Sequence, residues 1–538
     1  MVKDIGLDAI LAELGAFGKY NIVNYAFLLF PIYLAGMYGS VYVFEAPDIN
    51  YRCKIPQCED LNTTWLEYAI PMVKDSPSKC EMYGMTKNNS GTCSIEDFNK
   101  KEIKCTEYVY SEEDSVVRDF DLGCQNWKRT LIGSIHNAGL FVSLPLTGFV
   151  SDRYGRKLAL SIASYLNGIF GLIRSFSVNY PMLLLFEFLE AALGAGAYST
   201  AFVIAMELVG PKGRVFGNTV INIFYVMGLM SLSGFSWWFQ SWRSVLRLIY
   251  TPAVFVISYY WILNESVRWL LSKGRHQEAA IILKKAAKMN NVVLSEEMLS
   301  PLYVDEKSNV DEKQKEIAQH DGVQEKKTSN FKQVIKSSII RKRLAICSFM
   351  WITCTFVYYG LSINSVSLAG NKYVNFMLVA FVEIPANIVC LLVLDRFGRK
   401  RVLIITYVLS ACLCISLSFV PKDLKWVSLI LYLSGKFSIT VSYSSVYIYV
   451  SEVFPTNVRQ SLLAVCSSLG RIGSTMAPLT PLLALYYENL PAIFFGSLAL
   501  IASILVFSLP ETINVPLPDT VEEAERISQR RREKKETA

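Results

Sequence analysis

The chain has 538 residues, of which 52% are hydrophobic and only 18% charged, with a net charge of +7 and a mean hydropathy of +0.31. Soluble domains carry about 25% charged residues, so the composition excludes an ordinary soluble protein, and the charge bias described below accounts for the +7 without a nucleic-acid partner. The apolar residues gather in blocks of roughly 18 to 25 residues, the length that crosses a hydrocarbon core of about 30 Å as a helix. Twelve such blocks, centred near residues 33, 140, 167, 193, 227, 254, 355, 384, 411, 438, 473 and 501, predict an all-α membrane protein of twelve transmembrane helices.

In chain order, residues 1–20 read as a polar amphipathic leader on the cytosolic side, followed by a first six-helix half over 21–263. The first span starts late and lacks a small-residue cleavage site, so it reads as a true span rather than a signal peptide. Between the first two spans lies a long loop, 45–128, holding Cys53, Cys58, Cys80, Cys93, Cys105 and Cys124 and two sequons, at Asn62 and Asn88. An even cysteine count beside sequons predicts an extracellular, glycosylated and disulfide-bonded loop, with fifteen possible pairings left open. Residues 264–342 form a cytosolic linker: a helical, one-sidedly charged part (ESVRWLLSKGRHQEAAIILKKAAKM), then a highly charged, flexible part. A second six-helix half (343–510) and a cytosolic tail (511–538) complete the chain. The basic loops RYGRK, PKGR and RFGRKR and the basic tail fall on one side if both termini are cytosolic, as the positive-inside rule requires.

The halves repeat. DRYGRK begins at Asp152 and DRFGRK at Asp395, 243 residues later; ELVGPKGR runs from Glu207 to Arg214 and EVFPTNVR from Glu452 to Arg459; Glu265 and Glu511 close the two halves. Two parallel six-helix repeats are the architecture of the major facilitator transporters, with the substrate site between the halves near the midplane. The acids and bases at the cytosolic helix ends (Asp152/Arg153, Glu207/Arg214, Asp395/Arg396, Glu452/Arg459) are expected to form ion pairs in one conformation and release them in the other. Gly148, one turn before Asp152, is expected to permit close helix approach.

GFVSDRYGRK resembles the signature loop of the major facilitator superfamily. The six-cysteine loop, the ESVRWLLSKGR segment and the PETINVPLPDT ending together resemble solute carrier family 22, which carries organic cations, anions and zwitterions such as carnitine. The chain departs from the family at Asn264, where Pro is usual. In this family, cation carriers typically have Asp where this chain has Arg471, whereas SSLGRIGS fits the anion and carnitine-type pattern. The tenth span looks closest to the carnitine-type branch. Asn387 stands where dicarboxylate-selective members often have Lys. The family's central cage implies Tyr225, Tyr358, Tyr359, Tyr443 and Tyr447 around the substrate; tyrosine offers an apolar wall, a hydroxyl and a π face for quaternary ammonium.

Arg471 lies about ten residues into its span, the only formal charge between Arg459 and Glu488. Such a residue faces a cavity or a partner. Two readings stand: a permanent pair with Glu383, or contact with a substrate carboxylate, for which the planar guanidinium is suited. Lys436 can instead pair with Glu383. Glu187 and Glu190 are further acids within a span, and His136, beside Asn137, reads as an interhelical polar residue rather than a proton relay. No GxxxxGK[ST] loop supports an ATP-driven pump, the three histidines are scattered, and neither a metal nor a cofactor is expected. The expected function is secondary transport of small organic ions across the plasma membrane by alternating access, anions or carnitine-like zwitterions favoured, with a coupling ion such as sodium, a proton or a counter-anion. The alternatives are an organic-cation carrier and a non-transporting receptor on a carrier scaffold; the paired gate residues argue against the receptor.

Overall fold

The computed structural model describes residues 7–15, 18–59, 65–73, 76–85, 93, 95–110, 114–209, 214–293, 336–421, 423–455, 458–513, 518 and 520–527. Long helical stretches stand at all twelve expected positions. In the first half they are α1 (Lys19–Glu45), α2 (Asn126–Tyr154), α3 (Arg156–Arg174), α4 (Tyr180–Leu208), α5 (Arg214–Phe239) and α6 (Trp242–Ile262). In the second they are α7 (Ser338–Ser367), α8 (Lys372–Phe397), α9 (Arg399–Phe419), α10 (Lys425–Val453), α11 (Arg459–Met476) and α12 (Leu490–Val506). Eight helices among the described residues are long and apolar enough to cross a membrane. The stretches outside that eight are α2, α3 and α10, which carry more polar residues, and α12, which is apolar but only 17 residues long.

The sequence repeat is also a packing repeat. In the first half α1 packs on α5, α2 on α4 and α3 on α6; in the second, α7 packs on α11, α8 on α10 and α9 on α12. Small residues make these crossings close, as helices in lipid require. A Cβ on Gly36 of α1 would stand 2.2 Å from the Tyr225 carbonyl of α5, and one on Gly228 of α5 would stand 2.1 Å from the Tyr33 carbonyl of α1. Gly148 is different. A side chain there would meet nothing within 4 Å among the described residues, so it makes none of the close approach expected of it.

The two halves meet at the end that bears the cysteine loop. Ser134 of α2 donates to the Thr475 carbonyl of α11 (3.0 Å), and Ser233 of α5 to the Tyr373 carbonyl of α8 (2.7 Å). Tyr373 stacks against both Phe44 and Trp237.

The loop itself is braced by the disulfides Cys53–Cys105, Cys58–Cys93 and Cys80–Cys124, which resolves the open pairing. Among the described residues its backbone forms three two-stranded antiparallel ribbons: β1 (Tyr51–Cys53) with β6 (Tyr108–Tyr110), β2 (Met72–Val73) with β3 (Ser76–Pro77), and β4 (Glu81–Met85) with β5 (Phe98–Lys104). These small ribbons are an addition to the all-α expectation, and the bridges reinforce a small core of the loop's own, Ile55, Cys58, Trp65, Ala69 and Ile70. Asn62 and Asn88 lie outside the described residues, as do the charged part of the linker (294–335) and the end of the tail. The described part of the linker holds helices Val267–Ser272 and His276–Asn290. The second of these packs with leader helix Leu7–Glu13 through Leu283, Ala286 and Ala287 against Ile10, Leu11 and Leu14.

Candidate functional site

Between the halves, α5, α7, α8, α10 and α11 bring together the residues singled out in the sequence. Lys436, Tyr443 and Tyr447 are spaced seven and four apart on α10, so they share one face. Tyr443 stacks on Tyr358 (centroids 5.3 Å) and meets Tyr447 edge-on (5.5 Å); Tyr358 meets Tyr359 edge-on at 5.1 Å. Tyr225, Tyr358, Tyr359 and Glu383 line one small cavity of about 10 Å³. That is the space of about one water molecule, so a solute needs another conformation to enter.

Glu383 sits at a break in α8, where the helix pauses at Val382 and Pro385 follows, a residue with no N–H to carry the ladder on. Its carboxylate pairs with Lys436, Oε1 to Nζ 2.9 Å, with both side chains buried. Lys436 also donates to Ser362 Oγ (2.7 Å) and to the Tyr358 carbonyl (3.2 Å), and its ammonium lies over the Tyr358 ring. This cation has all the partners it can use. Asn387 bridges α8 and α10 by accepting from Ser444 (2.8 Å).

Arg471 is placed otherwise. Half-buried on α11, it forms no ion pair among the described residues, and its electrostatic neighbours are Tyr359, Tyr443, Tyr447 and Tyr225. The permanent pair with Glu383 is absent because Lys436 occupies that carboxylate. The arrangement therefore holds one neutralised carboxylate–ammonium pair and, on a wall of tyrosines, one guanidinium without an ion pair among the described residues.

The chain matches the family described as "Sugar (and other) transporter" over residues 76–524. It is 31% identical over 537 residues to solute carrier family 22 member 21 of Mus musculus, covering 97% of this chain and 93% of the relative. It is 30% identical over 537 residues to organic cation/carnitine transporter 2 of Homo sapiens, covering 97% and 94%. The inward-open xylose transporter XylE of E. coli superposes with a TM-score of 0.58 at 16% identity, covering 94% of this chain and 99% of that one. The chain belongs to solute carrier family 22 of the major facilitator superfamily.

In this family member the basic end carries two mirrored clusters. Arg156 bridges Asp152 (2.5 Å) and Glu207 (3.8 Å); Arg399 bridges Asp395 (3.1 Å) and Glu452 (3.1 Å). The bases differ from the pairing expected from sequence. Asp152 stands in the last turn of α2 and Arg156 opens α3, and the non-helical turn at Gly155 brings the two together, whereas the Arg153 side chain goes elsewhere. Arg153 instead lies over Phe149 and Tyr154, and Arg396 over Phe397. Arg459 Nε donates to the Phe454 carbonyl. The Arg214 side chain lies outside the described residues.

The glycine of each basic loop has left-handed φ, +114° at Gly155 and +93° at Gly398, and allows the chain to reverse between helices. Behind it, Glu265 accepts from the Arg156 N–H (3.0 Å) and Glu511 from the Arg399 N–H (2.9 Å), each capping the start of the next helix. The described ion pairs at this end stay within one half each. Sequence reasoning overlooked Arg156 and Arg399, although both stand in the repeated motif. It also overlooked Tyr198, which faces Tyr225 at 5.5 Å and lies within electrostatic reach of Arg471.

Proposed function

We propose that the chain is a plasma-membrane secondary transporter of small organic ions working by alternating access, with anions or carnitine-like zwitterions favoured, its termini and linker in the cytosol and the cysteine loop outside and glycosylated. The single observation that carries the preference is Arg471, which meets tyrosines but no carboxylate among the described residues, while Glu383 is already neutralised by Lys436. A carboxylate approaching Arg471 gains a charge-assisted hydrogen bond of about 1.5–3 kcal/mol, or one to two decades of affinity. The tyrosines supply a π surface for the quaternary ammonium of a zwitterion. Closure at the loop end, with gate clusters held inside each half, supports a state poised to open toward the basic end.

A second reading has its own support. If Lys436 swings away, Glu383 and the Tyr358 face become a cation site, and the human relative's name includes organic cations. One uptake panel decides: a carnitine-like zwitterion, an aryl anion and a quaternary amine, each with and without sodium. Uptake of the zwitterion or anion above the amine supports the first reading, amine alone the second, and uptake of none the receptor alternative.

A further inference from the structure

At the loop end of the first half, five ionisable side chains from four helices are sealed from solvent: Glu45 of α1, His136 of α2, Arg174 of α3, and Glu187 and Glu190 of α4. The sequence alone kept these apart, and Arg174 drew no notice. In the fold Arg174 is their hub. Its guanidinium bonds Glu187 and lies 3.0 Å from Glu45 Oε1 and 3.5 Å from Glu190 Oε2, and it donates to the Tyr250 hydroxyl at 3.1 Å. His136 Nδ1 stands 2.9 Å from Glu187 and 3.6 Å from Glu190. The other titratable groups facing the cluster are the phenols of Tyr38 and Tyr42, which carry no charge near neutral pH.

Three carboxylates thus face one guanidinium and one imidazole. Even with the imidazole charged, the cluster lacks one positive charge, and a net charge in so dry a place is expensive. The deficit has an address. Neither Glu190 nor Glu45 is hydrogen-bonded at either oxygen, but Glu45 Oε1 lies 3.0 Å from the Arg174 guanidinium, whereas the two ionic contacts of Glu190 are longer, 3.5 and 3.6 Å, and both fall on Oε2, leaving its Oε1 bare and buried. A proton there leaves two carboxylates against two cations. A metal ion in the same place would stand beside the Arg174 guanidinium and be repelled by it.

We propose that this cluster is a proton-binding site, with Glu190 as the group that takes and releases the proton, and that its loading couples solute movement to a proton gradient. The step is a plain exchange between carboxylic acid and carboxylate, with the proton delivered to or drawn from water. The proposal rests on the transporter reading above. Two features link the site to the conformational cycle. Glu45 also lines a cavity of about 120 Å³ at the loop end, with Asp114, Gln240 and Lys372. Tyr42, whose ring lies 5.5 Å from that of His136, is packed with Gly133 under Pro478 of the second half. Separation of the halves at the loop end lifts Pro478 and Thr475 from this lid and exposes the cluster to that side; in the state seen here it is sealed.

The test uses the full chain in proteoliposomes, with the membrane potential clamped and the solute identified by the uptake panel. An inward gradient of one pH unit should sustain up to about tenfold accumulation for one proton per solute, and a protonophore should abolish it. Glu190→Gln should keep solute counterflow, which needs no net proton movement, and lose the gradient-driven accumulation; Glu45→Gln should weaken it less. A merely structural role would lower both modes together. The proposal is overturned if the wild type shows counterflow but no response to the proton gradient, if a sodium gradient drives accumulation instead, or if Glu190→Gln keeps the tenfold accumulation. Absence of counterflow in the wild type overturns the transporter reading and this proposal with it.

Discussion

Lys436 and Arg471 are both cations at membrane depth, yet only one has its charge answered by the protein. Removing one partner of a buried pair leaves the other uncompensated, a loss of about 3–5 kcal/mol. Lys436→Met is therefore expected to lower the thermal stability of the purified protein markedly, and Lys436→Met with Glu383→Gln to recover most of the loss; thermal unfolding of the two variants measures this. Arg471 was legible in the sequence because a lone charge in an apolar run stands out. The Glu383–Lys436 pairing was not, since a sequence does not say which side chain of two neighbouring helices reaches a given carboxylate first. Arg174 was hidden for another reason: it stands at the end of its helix, followed by SFSVNY, where the apolar run is already fading.

At the level of elements, the repeated DRxGRK loops were visible as motifs, but their internal wiring depends on the glycine turn between two helices, which sets Asp152 beside Arg156 and Asp395 beside Arg399. Arg156→Ala and Arg399→Ala are expected to cut the turnover rate about tenfold or more at matched surface amount, because each removes the charge-assisted hydrogen bond that ties a helix start to a neighbouring helix, Arg156 to Asp152 and Arg399 to Glu452, worth roughly 1.5–3 kcal/mol. Arg153→Ala, whose side chain rests on Phe149 and Tyr154, should stay within about twofold. Transport rates normalised to surface protein separate the two outcomes.

The cysteine loop makes a different forecast. Arg52 donates twice to Glu59 (2.6 and 2.7 Å) and holds its carboxyl below the usual range. A depressed folded pKa means stability that is present above the unfolded value near 4.3 and is lost as pH falls through the folded value. Limited proteolysis should therefore find the loop equally resistant between about pH 5 and 7 and loosening below about pH 4, with that acid step absent in Glu59→Gln. The loop's cysteines and sequons marked it in the sequence; its ribbons and pairings did not show, because short strands held by bridges carry little hydrophobic periodicity.

Across the whole molecule, the two-half architecture was legible because three motifs recur in one order, and the packing repeats with them. The contact between the halves was not, as it rests on hydroxyl-to-carbonyl bonds such as Ser134 to Thr475 that no pattern announces. If alternating access requires that contact to part, cysteines at 134 and 475 joined by a short bifunctional thiol reagent should stop transport, while the same reagent on either single cysteine should not. Continued transport by the joined protein would place the moving interface elsewhere. The proposed solute preference turns on one guanidinium, and its most direct measurement is the apparent affinity for the panel's anion or zwitterion in Arg471→Ala at matched surface expression. The account predicts an affinity weaker by about one to two decades, with Arg471→Lys in between; an unchanged affinity in Arg471→Ala would contradict it.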